Sequence, residues 1–172
     1  MSNRPANDRL IARLITVLSE EMQMYNALLL ALREKQTSII EGKVHELQES
    51  VHKEQTILNR TKAVAASREE SFQAVSAALS GEEEIRTLSQ LIQVVESSYA
   101  ERLSDIHRSL QQIHQQVMLT NEENRYLLNY SINFVRDAAR ELVRSSDQFP
   151  VYSATGSDQE GPMGSRLIEG KV

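Results

Sequence analysis

The residues best suited to chemistry are four histidines and the carboxylate that precedes one of them. Glu49 and His52 have the Glu-x-x-His spacing that di-iron four-helix bundles use twice to bring a carboxylate and an imidazole to one metal pair. The second copy is missing, because Gln111 precedes His114 and Ser104 precedes His107 at the same offset. The histidines also pair as His45/His52 and His107/His114. Each pair is two helical turns apart, or ~10 Å, too far for both to ligate one ion. A site shared between two antiparallel helices has no further ligand to support it. These residues therefore read as solvated helix surface. No Gly-rich phosphate loop, nucleophile elbow or zinc-protease histidine pair is present. Cysteine is absent, which removes disulfides and thiolate metal sites. No catalytic residue, cofactor or metal is assigned, and the chain reads as a binding protein rather than an enzyme.

Composition narrows the class further. About 40% of the 172 residues are apolar, enough for a core, while Gly (6) and Pro (3) are too scarce for the frequent turns of a sheet protein. The net charge of −5, with basic residues interspersed among acidic ones, lacks the positive field that nucleic-acid binding needs. The densest apolar stretch, Leu28 to Leu32, is far short of the ~20 residues that span a bilayer. Met1 to Arg9 is polar and shows no secretory run, so the expected location is the cytoplasm.

Helical periodicity accounts for most of the chain. Pro5 suits a first helical turn. From there Ile11, Ile15, Leu18, Met22, Tyr25, Leu29, Leu32, Gln36 and Ile39 alternate spacings of four and three. Leu10, Leu14, Leu28 and Ile40 widen the stripe, as in a helix with more than one neighbour. Gly42 ends this helix. Val44, Leu47, Val51, Leu58, Ala65, Phe72, Val75 and Leu79 predict a return arm closed by Gly81, completing an antiparallel hairpin. Glu82 to Glu84 then predict the first turn of a short apolar helix through Ile85, Leu88, Leu91, Ile92 and Val95. From Tyr99 the seam resumes as Leu103, Ile106, Leu110, Ile113, Val117, Thr120, Asn124, Leu127, Ser131, Phe134 and Ala138; unbroken to Ser145, it is a helix ~70 Å long. Whether Ser97 or Ser98 caps that helix is left open. After Ser146, Pro and Gly among Ser, Asp and Gln predict a disordered tail carrying two apolar islands, Phe149–Tyr152 and Leu167–Ile168. The fold class is thus all-α: a hairpin, a short helix and a long one in a bundle or coiled coil over residues 1–146, then a tail over 147–172.

Gln36, Glu54, Arg68, Thr120, Asn124 and Ser131 occupy seam positions that a stable coiled coil fills with Leu or Ile. Polar residues there set register at some cost in stability, or mark faces kept open for a partner. Both readings stand on sequence grounds. Their clustering on the second and last helices tilts the balance modestly toward a partner. Leu127, Leu128, Ile132, Val135, Ala139 and Leu142 extend the apolar surface beyond a single seam and need a second packing partner or a client.

The order of these residues resembles the FlgN family of flagellar export chaperones. The likeness begins with Glu20, Glu21, Tyr25, Leu28, Leu29, Lys35, Gln36, Gly42, Leu47 and Gln55. It continues through Thr87–Ile92 ("TLSQLI") and is strongest in "NEENRYLL", where Asn121 and Asn124 precede Leu127 and Leu128. It closes with Tyr152-Ser-Ala-Thr-Gly156 and the terminal "RLIEGKV", covering nearly the whole chain. Between Tyr152 and Gly156 the family more often has acidic or amide residues. The resemblance implies a cytoplasmic, ATP-independent chaperone that binds the C-terminal helices of hook-associated (hook–filament junction) proteins, prevents premature assembly and delivers them to the export gate. It places the client-binding face on Val117, Asn121, Asn124, Leu127, Leu128, Ile132 and Val135, and gate docking on Tyr152 and Gly156. The rival expectation is a self-associating coiled-coil scaffold, and a homodimer of the free chain is compatible with either.

Overall fold

A computed structural model describes residues 4–79 and 84–146. Over those residues it contains four helices: α1 (Arg4–Ile40), α2 (Val44–Leu79), α3 (Leu88–Val94) and α4 (Ser97–Ser146). The all-α reading holds, with the two long arms, the short helix and the long last helix in the expected order. The Gly81 stop and the tail from 147 onward lie outside the described residues.

The hairpin turn is set by Gly42. Its φ of +68° is open to glycine without the Cβ penalty that other residues carry. Lys43 N–H donates to the Ser38 carbonyl at 3.0 Å and Gly42 N–H to the Ile39 carbonyl at 3.3 Å, the two bonds of a Schellman stop. The chain then reverses directly into α2. Along the reversed pair, as the α1 partner moves from Lys35 to Glu21 to Arg13, the α2 partner moves from Glu54 to Arg68 to Glu70.

The face that α2 presses on α1 follows the expected seam at Thr61 and Val75, with Glu54, Arg68, Phe72 and Leu79 half-buried on it, and takes in Ser50, Ser71 and Ser76 beside it. The buried α2 residues are Ser50, Thr61, Ser71, Val75 and Ser76, whereas Val44 and Val51 are exposed and Leu47 and Leu58 only half-buried. Ion pairing accounts for the charged residues at these inward positions. Lys35 Nζ meets Glu54 Oε2 at 2.5 Å, with side chains only 10% and 18% exposed. Both seam charges are satisfied only if this polar row faces inward, and small Ser side chains let the helices approach beside it. Thus Glu54 and Arg68, which on sequence could have marked a face kept open, are paired with α1.

All four helices meet in one core. It comprises Ile11, Leu14, Ile15 and Leu18 of α1, Val75 of α2, Leu91 of α3, Leu103 of α4, and Ile85 just ahead of α3. The predicted start of the third helix needs correction. Glu84 to Arg86 are not helical, and α3 begins after Thr87. There Thr87 Oγ1 accepts from Gln90 N–H while Gln90 Oε1 accepts from Thr87 N–H, a reciprocal capping box that outcompetes the acidic run as a start signal. Ile85 is free of helical geometry and inserts into the core, its carbonyl accepting from Ser76 Oγ. Val95, in extended conformation, breaks α3 from α4, so α4 starts anew at Ser97.

The chain separates into two compact units, Met1–Ile132 and Asn133–Val172. Burial accounts for it: from Ile132 to Ser145 every α4 side chain is exposed.

The Lys35–Glu54 pair gives the first prediction. Glu54→Ala leaves the Lys35 ammonium buried and unpaired, and should lower unfolding stability by about 3 kcal/mol. Replacing both residues with Leu should restore it to within about 1 kcal/mol. Urea unfolding followed by helical circular dichroism checks both; a single variant as stable as the parent would show that the pair does not hold the hairpin.

Candidate functional site

Helix α4 carries the predicted site, and its attachment is sparse. Among its described residues only three side chains are buried: Leu103, Ile113 and Asn124. The first two are apolar, and Leu103 belongs to the shared core. The third is an amide, 1% exposed, whose Nδ2 donates to the Leu32 carbonyl of α1 at 2.7 Å. Its Oδ1 is buried without a partner. A satisfied neutral hydrogen bond contributes ~0.5–1.5 kcal/mol net, whereas a buried acceptor left unpaired costs ~1–3 kcal/mol. Beside it, Gln36 Nε2 donates to Glu123 Oε2 at 3.0 Å on the exposed flank of the same contact.

The seven residues expected to bind a client separate by environment. Asn121 is exposed, and Val117, Leu127 and Leu128 are half-buried. Ile132 and Val135 are open at 52% and 64% exposure. Asn124 differs from them in environment: it is buried against α1, and its donor is occupied by the Leu32 carbonyl. The reason is positional. Asn124 falls at the centre of the inward stripe, one heptad step after Val117 and Thr120, whereas Asn121 falls at its edge.

Beyond Asn124 an apolar row runs through Leu128, Ile132, Val135, Ala139 and Leu142, one residue out of register with the seam that reaches Asn124. Of these, Leu128 is half-buried and the other four are exposed. Sequence reasoning missed a second apolar row. Tyr126, Tyr130 and Phe134 recur every four residues and are all exposed, although Phe134 was assigned to the seam. The i, i+4, i+8 spacing was the available signal, masked by the stronger heptad pattern beside it. Tyr152 and Gly156 lie outside the described residues.

The histidines are also placed. His45 lies on the surface at 3.6 Å from Glu49, and His52 is exposed. His107 and His114 line a cleft with Glu21, Tyr25 and Arg68, and the His114 ring meets the Tyr25 ring edge-on at 5.8 Å between centroids. Glu21 Oε1 lies 3.4 Å from Arg68 and its Oε2 is buried without a partner. Burial raises the Tyr25 phenol above its ordinary value of 10.0, and the Glu21 charge adds to the rise while Arg68 opposes it. No three of His, Asp and Glu converge as a metal-ligand set among the described residues, and no helix there is long and apolar enough to cross a membrane.

Comparison with known proteins gives one match: the family model described as FlgN protein covers residues 1–160. No curated protein and no solved structure matches the chain.

Two predictions arise from this geometry. Ile132→Ser together with Val135→Ser should change unfolding stability by no more than about 0.5 kcal/mol, since neither side chain is buried; a larger loss in urea melts would place them in a packed interface of the free chain. Tyr25 keeps its proton longer when folded than when unfolded, so its contribution is complete below pH ~10 and is lost as pH rises through the folded value. Urea midpoints at pH 9 and 11 should fall less steeply for Tyr25→Phe than for the parent.

Proposed function

The chain belongs to the FlgN family of flagellar export chaperones, and on that premise we propose that its clients are the hook-associated proteins of the hook–filament junction. It holds their C-terminal helices in the cytoplasm, keeps them from assembling early and passes them to the export gate. The observation that supports this reading is the row of α4 apolar residues, Ile132, Val135, Ala139 and Leu142, that lies exposed among the described residues beyond the buried part of the same helix. A client helix laid along Leu128, Ile132, Val135 and Leu142 adds the missing partner of a heptad seam. Fully burying one such side chain contributes ~1.5–3 kcal/mol, part of which is offset by ordering the client segment. The outcome is a hold of moderate strength, suited to release without ATP.

Gate docking is proposed for the tail, with Tyr152 as its aromatic anchor and Gly156 beside it. Support comes from the Tyr-x-x-x-Gly spacing and its place after the last helix. A self-associating scaffold is the competing reading, in which a second copy covers the stripe.

Co-purification with the C-terminal helical segment of a junction protein, read by light scattering, separates the two. A one-to-one complex with added helicity supports the chaperone; no complex, with a tight homo-oligomer of the free chain, supports the scaffold. In the complex, Ile132→Ser with Val135→Ser should weaken client binding by about tenfold or more, as expected for ~1.4 kcal/mol or more of lost burial. Tyr152→Ala should leave client affinity intact and weaken association with the gate. Loss of client binding in that variant would place the tail in the wrong role.

A further inference from the structure

The three buried side chains of α4 divide the first unit into two stretches. From Leu103 to Ile113 the helix is fastened by two buried apolar residues, Leu103 and Ile113, with half-buried Ile106 and Leu110 between them. From Val117 to Ser131 the inward positions are half-buried, and the single deeply buried side chain is Asn124. That amide holds one bond to α1, through its donor to the Leu32 carbonyl, while its acceptor is buried unpaired. The Leu32 carbonyl is itself part of α1's helical ladder, so α1 loses no backbone partner if Asn124 leaves. On leaving, Asn124 exchanges its one bond to α1 for water and hydrates the acceptor that is buried unpaired. A Leu at this position would bury similar volume with no polar atom to satisfy.

We propose that Asn124 is a positioning residue built as a weak lock. It sets the register of α4 on α1 at Leu32 and defines the stretch, 117–131, that opens from the hairpin while 103–113 stays closed. Opening frees Val117, Leu127 and Leu128 together, so a partner helix reads a face longer than the one exposed at rest. The partner half of this inference rests on the client reading above; the opening half does not.

Hydrogen exchange on the full chain, read by mass spectrometry, tests it. In the parent, amides of 117–131 should exchange faster than those of 103–113. Asn124→Leu should slow the first group by about tenfold, the factor given by ~1.4 kcal/mol in opening free energy, and leave the second unchanged. Asn124→Ser, which keeps polarity and removes volume, should speed the first group alone and keeps the test decisive if the Leu variant folds poorly. Equal changes in both groups, or none in either, overturn the lock. With a junction-protein segment added, Asn124→Leu should slow association and weaken binding. Slowed exchange with unchanged binding overturns the positioning role while the opening stands. A parent chain that binds no such segment overturns the client reading and the partner half with it, and the exchange pattern still decides the lock.

Discussion

The bundle is referred to α1, whose buried face is wide enough to serve two neighbours. One edge takes the polar row of α2 through Lys35–Glu54 and Glu21–Arg68, and the other receives Asn124 and Glu123 of α4 at Leu32 and Gln36. A helix of 3.6 residues per turn can present two contact rows only if apolar residues fill more than one heptad seam. The doubled positions Leu14/Ile15, Leu28/Leu29 and Ala31/Leu32, all buried, supply that width. Because α2 and α4 both dock on this face, the charge pairs that fix α2 also fix the ground on which α4 rests.

This dependence explains what was legible in the residues beforehand. Helix order, the Gly42 stop and the α1 seam follow from local rules, since periodicity and a glycine tolerant of positive φ need no knowledge of a partner. The contact face of α2 was legible only in part. Glu54, Thr61 and Arg68 take the inward seam positions their spacing gives them, but the matching of Glu54 by Lys35 and of Arg68 by Glu21, with Val44 and Val51 left exposed, is not written in the pattern. Pairing across helices is a tertiary fact, and one helix's sequence does not carry it. The third helix shows the same limit on a smaller scale: three glutamates look like a first turn, but the reciprocal Thr87/Gln90 cap starts the helix later. At the candidate site, Asn121 and Asn124 look alike in sequence and differ in structure by one position on the helical wheel, which sends one to water and the other to α1.

The polar seam residues therefore divide by role. Glu54 and Arg68 of the hairpin are matched in charge, and a buried charge with a partner cannot leave without a large penalty on the charge left behind. Those of α4 are neutral: Thr120, Asn124 and Ser131. A neutral amide or hydroxyl can return to water at little cost, so the same seam position binds firmly in one helix and loosely in another. The hairpin is thus a fixed platform and α4 an adjustable arm on it.

On the proposed reading, a chaperone without an energy source has to satisfy opposing demands. Such a chaperone would hold its client against self-assembly and then release it to a machine that draws on its own supply. Full burial of a long heptad seam would make the hold too tight, because each apolar side chain adds ~1.5–3 kcal/mol and every ~1.4 kcal/mol multiplies residence time tenfold at constant association rate. A helix that is apolar near the core, polar at Asn124 and apolar again beyond it limits the free chain's own closure while keeping a partner-sized stripe available. Moving the amide toward Leu103 would loosen the core, and moving it past Ile132 would leave nothing to loosen, since those positions are already open. Its place between the two stretches is where one polar residue changes the accessibility of α4 most and the stability of the platform least.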